Sequence, residues 1–277
     1  MSLYDELKSA NIVRLLSGMI HSGNIDLRGS DGKFVANLRF DIDTPWIHAK
    51  SSYRMKCFLW KDVTFHEIVE KKLPKDKWFV PMGCQDCFKV VVRPGTLQQL
   101  FALESLQTRL DHPSKCGIEI RPSVFGNYGG YFYNRGLKEG LECYLKVRNE
   151  VDADEHLGPN IPVILKRGCT EMEHGVGRSD QWTTTKEQID FEVRLAQLFV
   201  DDTPILVQSE HAKNDVRQRW IERAFSIGDV TVFNYTDWKP LYPEYVTYQH
   251  LINQLPGGTD LSAKSEVNDE YKDSGKV

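Results

Sequence analysis

The sequence lacks several things, and each absence removes a class of function. No apolar run approaches the roughly 20 residues that a membrane-spanning helix needs, so no span is expected. The N-terminal stretch MSLYDELKSANIVRLLSGMI is amphipathic with acidic residues mixed in. It has no charged start, apolar block and small-residue cleavage site of a signal peptide, and a cytoplasmic location is expected. Positive charge is not in surplus: the formal net charge is −4. That excludes a global basic field for gripping nucleic acid and leaves only local patches. Neither GxGxxG nor a Walker pattern occurs, so no standard nucleotide cradle is indicated. Cysteine is sparse, with Cys57, Cys84, Cys87, Cys116, Cys143 and Cys169 along the whole chain. In a reducing compartment these are not a disulfide framework. They are buried thiols, metal ligands or a reactive thiol.

What is present is an ordinary soluble composition, 40% hydrophobic and 27% charged over 277 residues, enough for a full core. Residues 3–20 have helical periodicity, and Asp31-Gly32 between two strand-like runs signals a hairpin. YRMKCFLW reads as a strand, and TFHEIVEKKL as a helix opened by a Thr64/Glu67 capping box. From residue 88 short apolar runs alternate with amphipathic ones. FKVVVRP, GIEIRP, IPVILKRG, PILVQS and DVTVFNY read as strands. TLQQLFALESLQTRL, LKEGLECYLKVRNEV, TKEQIDFEVRLAQLF and AKNDVRQRWIERAF read as helices, with a last one near 244–253. Such alternation predicts an α/β fold of βα units with a mostly parallel sheet, as a partial or complete barrel, preceded by the N-terminal helix and hairpin. One domain over 1–254 is expected, with the helix and hairpin in about 1–50 and the βα core in about 53–254. The polar stretch 255–277 reads as a disordered tail.

In parallel α/β sheets chemistry collects at the carboxyl ends of the strands. Arg93, Arg121, Lys166 and Arg167 stand there in this reading, suited to an anionic small molecule or cofactor or, paired with nearby glutamates, to structural ion pairs. RPSVFGNYGGYFYNRG reads as a long glycine- and tyrosine-rich loop in which Tyr128 offers a stacking face. KRGCTEMEHGVGRSDQW reads as a second loop, with Cys169, Glu171 and His174 as candidate nucleophile and acid–base groups. Asp41 and Asp43, alternate carboxylates on one strand, read as a solvated strand end.

The C-x2-C pair Cys84 and Cys87 precedes one predicted strand and Cys116 the next. Adjacent parallel strands would bring the three thiols to one edge, as a clamp for zinc or an iron–sulfur cluster. The CxxxCxxC motif of radical S-adenosylmethionine enzymes is missing, Val80 standing where its first cysteine would be. The expectation from sequence is a metal-binding α/β enzyme acting on an anionic small molecule. The alternative is a non-catalytic nucleic-acid- or protein-binding module that uses the arginines and the tyrosine-rich loop.

Overall fold

The computed structural model describes residues 11–28, 33–36, 45–50, 57–200, 208–239 and 248. The chain divides into two compact units, Met1–Trp238 and Lys239–Val277, and every element below belongs to the first. The expected strand at 204–209 lies mostly outside the described residues. So do Asp41, Asp43, the Asp31-Gly32 turn, the helix near 244–253 and the tail.

Two short helices, α1 (Ile12–Leu15) and α2 (Ser17–His21), lead into β1 (Ile25–Arg28), which pairs antiparallel with β2 (Lys33–Ala36). The principal sheet has five strands: β3 (Trp46–His48), β4 (Cys87–Val92), β5 (Ser114–Ile118), β6 (Tyr128–Arg135) and β7 (Val163–Arg167), in the order β3-β5-β6-β4-β7. Every neighbouring pair is antiparallel. The expected mostly parallel barrel is therefore overturned: the sheet is open and antiparallel.

The reason lies in β6. The tyrosine-rich stretch expected as a loop is an eight-residue strand at the centre of the sheet. It alternates with period two, Tyr128, Gly130, Phe132 and Asn134 toward the helices, Gly129, Tyr131 and Tyr133 away. Gly130 is required there, since a Cβ would come within 2.3 Å of Leu103 on the packed helix. Inserting this strand between β5 and β7 reverses the chain once more than the βα rhythm allowed.

Four helices are formed where the periodicity placed them. They are α4 (Leu97–Leu110), α5 (Gly136–Ala153), α7 (Lys186–Gln197) and α8 (Glu210–Ser226), with α3 (Met82–Gln85) and α6 (Thr170–Val176) as shorter pieces. Thr96 and Thr185 cap α4 and α7, each side chain accepting from the N–H three residues on. Leu97, Leu100, Leu103 and Leu106 are each fully buried. At about 1.5–3 kcal/mol per side chain, that stripe outweighs the cap's ~1 kcal/mol in holding α4 on the sheet. With Cys143, Val147 and Val151 of α5 and Val216 and Trp220 of α8 it forms one core with Val90, Val92, Cys116 and Phe132 of the sheet.

Two readings differ. YRMKCFLW is not a strand where described: Phe58–Glu70 is a single helix of wide π-type turns. Inside it Thr64 donates to the carbonyl of Leu59 at 2.8 Å, so no Thr64/Glu67 capping box forms. DVTVFNY is a 3-10 helix, Val230–Tyr235, not a strand. A second core joins the π-helix to α3, α6 and α7 through Phe65, Ile68, Val80, Met172, Phe191 and Leu195. At the edge of the sheet Gln208 closes β3. The N–H of His48 donates to its Oε1 and its Nε2 donates to the carbonyl of Trp46, both at 3.1 Å.

Candidate functional site: a lysine–thiol pair and its ion network

β4 reads CFKVVV, and its alternation sends Val90 and Val92 to the helices and Lys89 to the opposite face. Lys89 is 8% exposed there, and its Nζ donates to Cys169 Sγ at 2.8 Å. Cys169 is brought into place by the turn after β7. Gly168 at φ 64° takes the left-handed conformation, and Cys169 then caps the start of α6. Cys57, Cys84, Cys87 and Lys61 also border a cavity of about 10 Å³ at this pair, room for one water. No disulfide joins any of the six cysteines.

Burial pushes Lys89 down, but the sulfur of Cys169, followed by Cys87 and Tyr133, outweighs it and holds Lys89 well above its ordinary value. Burial pushes the Cys84 thiol well up, and Cys169 adds to that. The cluster therefore contains a charged ammonium aimed at one sulfur, with a neutral thiol beside it.

An ion network continues from this point. Lys61 Nζ lies 3.0 Å from Glu171, and Arg121 Nη1 is 3.5 Å from the other carboxylate oxygen of Glu171. That second oxygen is buried and accepts no hydrogen bond within the described residues. Burial pushes Glu171 up, yet Lys61 and Lys89 hold it at about 2. It is held as an anion near neutral pH, paired with Lys61 and Arg121. Arg121 also forks onto Glu119 at 2.8 and 2.6 Å, and its Nη2 donates to the Tyr131 hydroxyl at 2.9 Å. Tyr131 in turn donates to Glu119 at 2.6 Å, and Arg93 reaches the same hydroxyl at 3.5 Å. Burial and the bond to Glu119 push Tyr131 up to about 12. Lys166 donates to Thr170 at 2.9 Å and to Glu173 at 3.3 Å. Burial and the charge of Lys89 push it below its ordinary value.

Five of the residues singled out in the sequence thus share one face: Arg93, Arg121, Lys166, Cys169 and Glu171. The antiparallel sheet still brings Arg93 and Arg121 together, because β4 and β5 run the same way on either side of β6. The others are elsewhere. Tyr128 is fully buried toward the helices, its hydroxyl donating to Asp229 at 3.0 Å. Arg167 is an internal strut, donating to the carbonyls of Gln85 at 2.6 Å and Ser179 at 2.8 Å. His174 is on the exposed side of α6.

The metal clamp is corrected. Cys116 faces the helix-side core beside Val90 and Phe132, whereas Cys87 shares the opposite face with Lys89 and Cys84 packs in the other core. β6 lies between β4 and β5, so Cys84, Cys87 and Cys116 do not form a cysteine cluster. Among the described residues no group of three or more His, Cys, Asp or Glu side chains is arranged to hold a metal ion. Of the tyrosine-rich loop of the alternative reading, Tyr128–Arg135 is β6, and residues 121–127 remain outside any strand. Lys89, Lys61, Glu119 and Tyr131 complete the site without having been singled out. Lys89 did leave a signal, a charge interrupting an otherwise apolar strand.

Searches against protein-family models, curated proteins and solved structures find no match. No helix among the described residues is long and apolar enough to cross a membrane.

Proposed function

We propose that this face of the sheet binds a small anionic molecule and that Cys169, held by Lys89, is the thiol that acts on it. The observation that carries the reading is the 2.8 Å contact between Lys89 Nζ and Cys169 Sγ inside the protein. A buried ammonium costs several kcal/mol unless paired, and its hydrogen bond here goes to sulfur. The same ammonium places a positive charge beside the sulfur, where an anionic reactant would be drawn to it. Lys61, Lys89, Arg93, Arg121 and Lys166 outnumber Glu119, Glu171 and Glu173, so the face as a whole favours an anion. Six cysteines without a disulfide suit a reducing, cytoplasmic compartment.

Iodoacetate and iodoacetamide test this, because they are close in size and differ in charge, so their rate ratio cancels access. Cys169 is expected to show a higher iodoacetate-to-iodoacetamide ratio than the other five thiols, read by mass spectrometry. In Lys89→Met the ratio should fall at least tenfold, and Lys89→Arg should restore part of it. An unchanged ratio in a folded Lys89→Met protein, or a ratio at Cys169 no higher than at Cys143, removes the reading.

A further inference from the structure

A separate cavity of about 550 Å³ lies at the carboxyl end of α6, away from the sheet face that its amino end serves. Its size falls within the range of small-molecule sites. Trp78, Phe79, Trp182 and Phe191 are among its walls, with Gln188 also lining it. None of the side chains of the proposed thiol site lines it, and its case rests on different residues.

The rings are held before any ligand arrives. The Trp78 indole donates its N–H to the Leu73 carbonyl at 3.1 Å, and Trp182 donates to Gly177 at 2.7 Å. An indole has no second donor, so both present ring surface to a ligand and no hydrogen bond from the ring nitrogen. Phe65 meets Trp78 edge-on at 6.0 Å, and the Arg167 guanidinium lies 5.7 Å from the Trp182 ring. Two glycines make room for the indoles. A Cβ at Gly168 would come within 2.5 Å of the Trp182 ring, and one at Gly175 within 2.8 Å of the Trp78 ring. The chain thus commits two glycines and two backbone carbonyls to the placement of two tryptophans.

The polar lining selects against charge. Asp76 and Glu187 stand against Lys77 and Arg178, and Arg178 is already paired with Asp180 at 2.7 Å. The side-chain amide of Gln188 donates to the Val80 carbonyl at 2.8 Å and to Glu192 at 2.6 Å, which fixes a neutral group in the lining. Fixed aromatic walls, balanced charge and this volume point to one chemistry. We infer that this cavity is a binding site for an uncharged, planar aromatic or heteroaromatic molecule.

Two of the six tryptophans line the cavity, so intrinsic fluorescence reports on it. The probes are lumichrome and adenine, both planar and uncharged, with cyclohexanol as an apolar, non-planar control. Saturable quenching by lumichrome is expected, with Kd at or below about 100 μM, as a ligand of that size gains from a preformed site. Phe79→Ala, which removes a half-buried wall, should weaken binding at least tenfold with little change in thermal midpoint. A second variant, Gly175→Ala, displaces Trp78 and should weaken it as well. No saturable response to either planar probe up to 1 mM overturns the inference. So does equal affinity for cyclohexanol, or undiminished binding in a folded Phe79→Ala protein.

Discussion

Glu192 of α7 is fully buried, its Oε2 accepting from the N–H of Met82 at 2.9 Å and its Oε1 from Gln188 at 2.6 Å. Burial pushes its carboxyl up from 4.5 to about 7, and the two hydrogen bonds only partly counter that. Between these values the unfolded chain has released the proton while the folded protein keeps it. Stability is therefore lost as pH rises from about 4.5 to about 7 and levels off above. At about 1.4 kcal/mol per pH unit the loss is about 3 kcal/mol. Glu192→Gln is nearly isosteric and does not titrate. Urea denaturation of both proteins from pH 4.5 to 8.5 isolates the effect, because other titrating groups cancel in the difference. The variant should gain at least about 2 kcal/mol on the wild type across that range. A difference independent of pH would refute the assignment of the proton to Glu192 and with it the low polarity ascribed to its surroundings.

Two glycine substitutions should differ in kind. At Gly117 a Cβ would lie 1.8 Å from the Pro45 carbonyl oxygen, so Gly117→Ala must move backbone at the β3 edge and should cost more than about 3 kcal/mol in urea unfolding. At Gly130 the obstacle is the tip of Leu103, and Gly130→Ala should cost about 1–3 kcal/mol. Thr96→Ala removes the cap accepting from Gln99 and should lower the urea midpoint by the equivalent of about 1 kcal/mol, with no effect on thiol alkylation.

The helices were legible because their signals are local. Thr96 and Thr185 mark starts, and leucines at three- and four-residue spacing mark one face. The strands are less legible: YRMKCFLW and DVTVFNY read as strands but are helical where described, and β6 reads as a loop. β6 carries tyrosine and glycine in place of valine and isoleucine, and its Gly130 answers to the bulk of Leu103, a residue 27 positions away that no local pattern reveals. With that strand read as a loop, the same rhythm of strand and helix implies parallel neighbours. The site divides similarly. Residues at strand ends were visible, since a strand's run of apolar residues shows where it stops. Lys89 lies mid-strand, and only the folded sheet pairs it with Cys169, 80 positions on. The clamp failed for the complementary reason: Cys87 and Cys116 are both in strands, but alternation puts their side chains on opposite faces.

The closure of β3 by Gln208 has a consequence for how the chain is made. The N–H of His48 and the carbonyl of Trp46 point away from β5, and the Gln208 amide satisfies both as a neighbouring strand would. β3 has its partner once residue 118 is synthesised, but its outer edge waits for residue 208. The roughly 90 residues between take about 5–20 s to translate, a period in which that edge is an open template for another nascent chain. One side-chain amide thus sets the moment during synthesis at which the β3 edge stops accepting a strand.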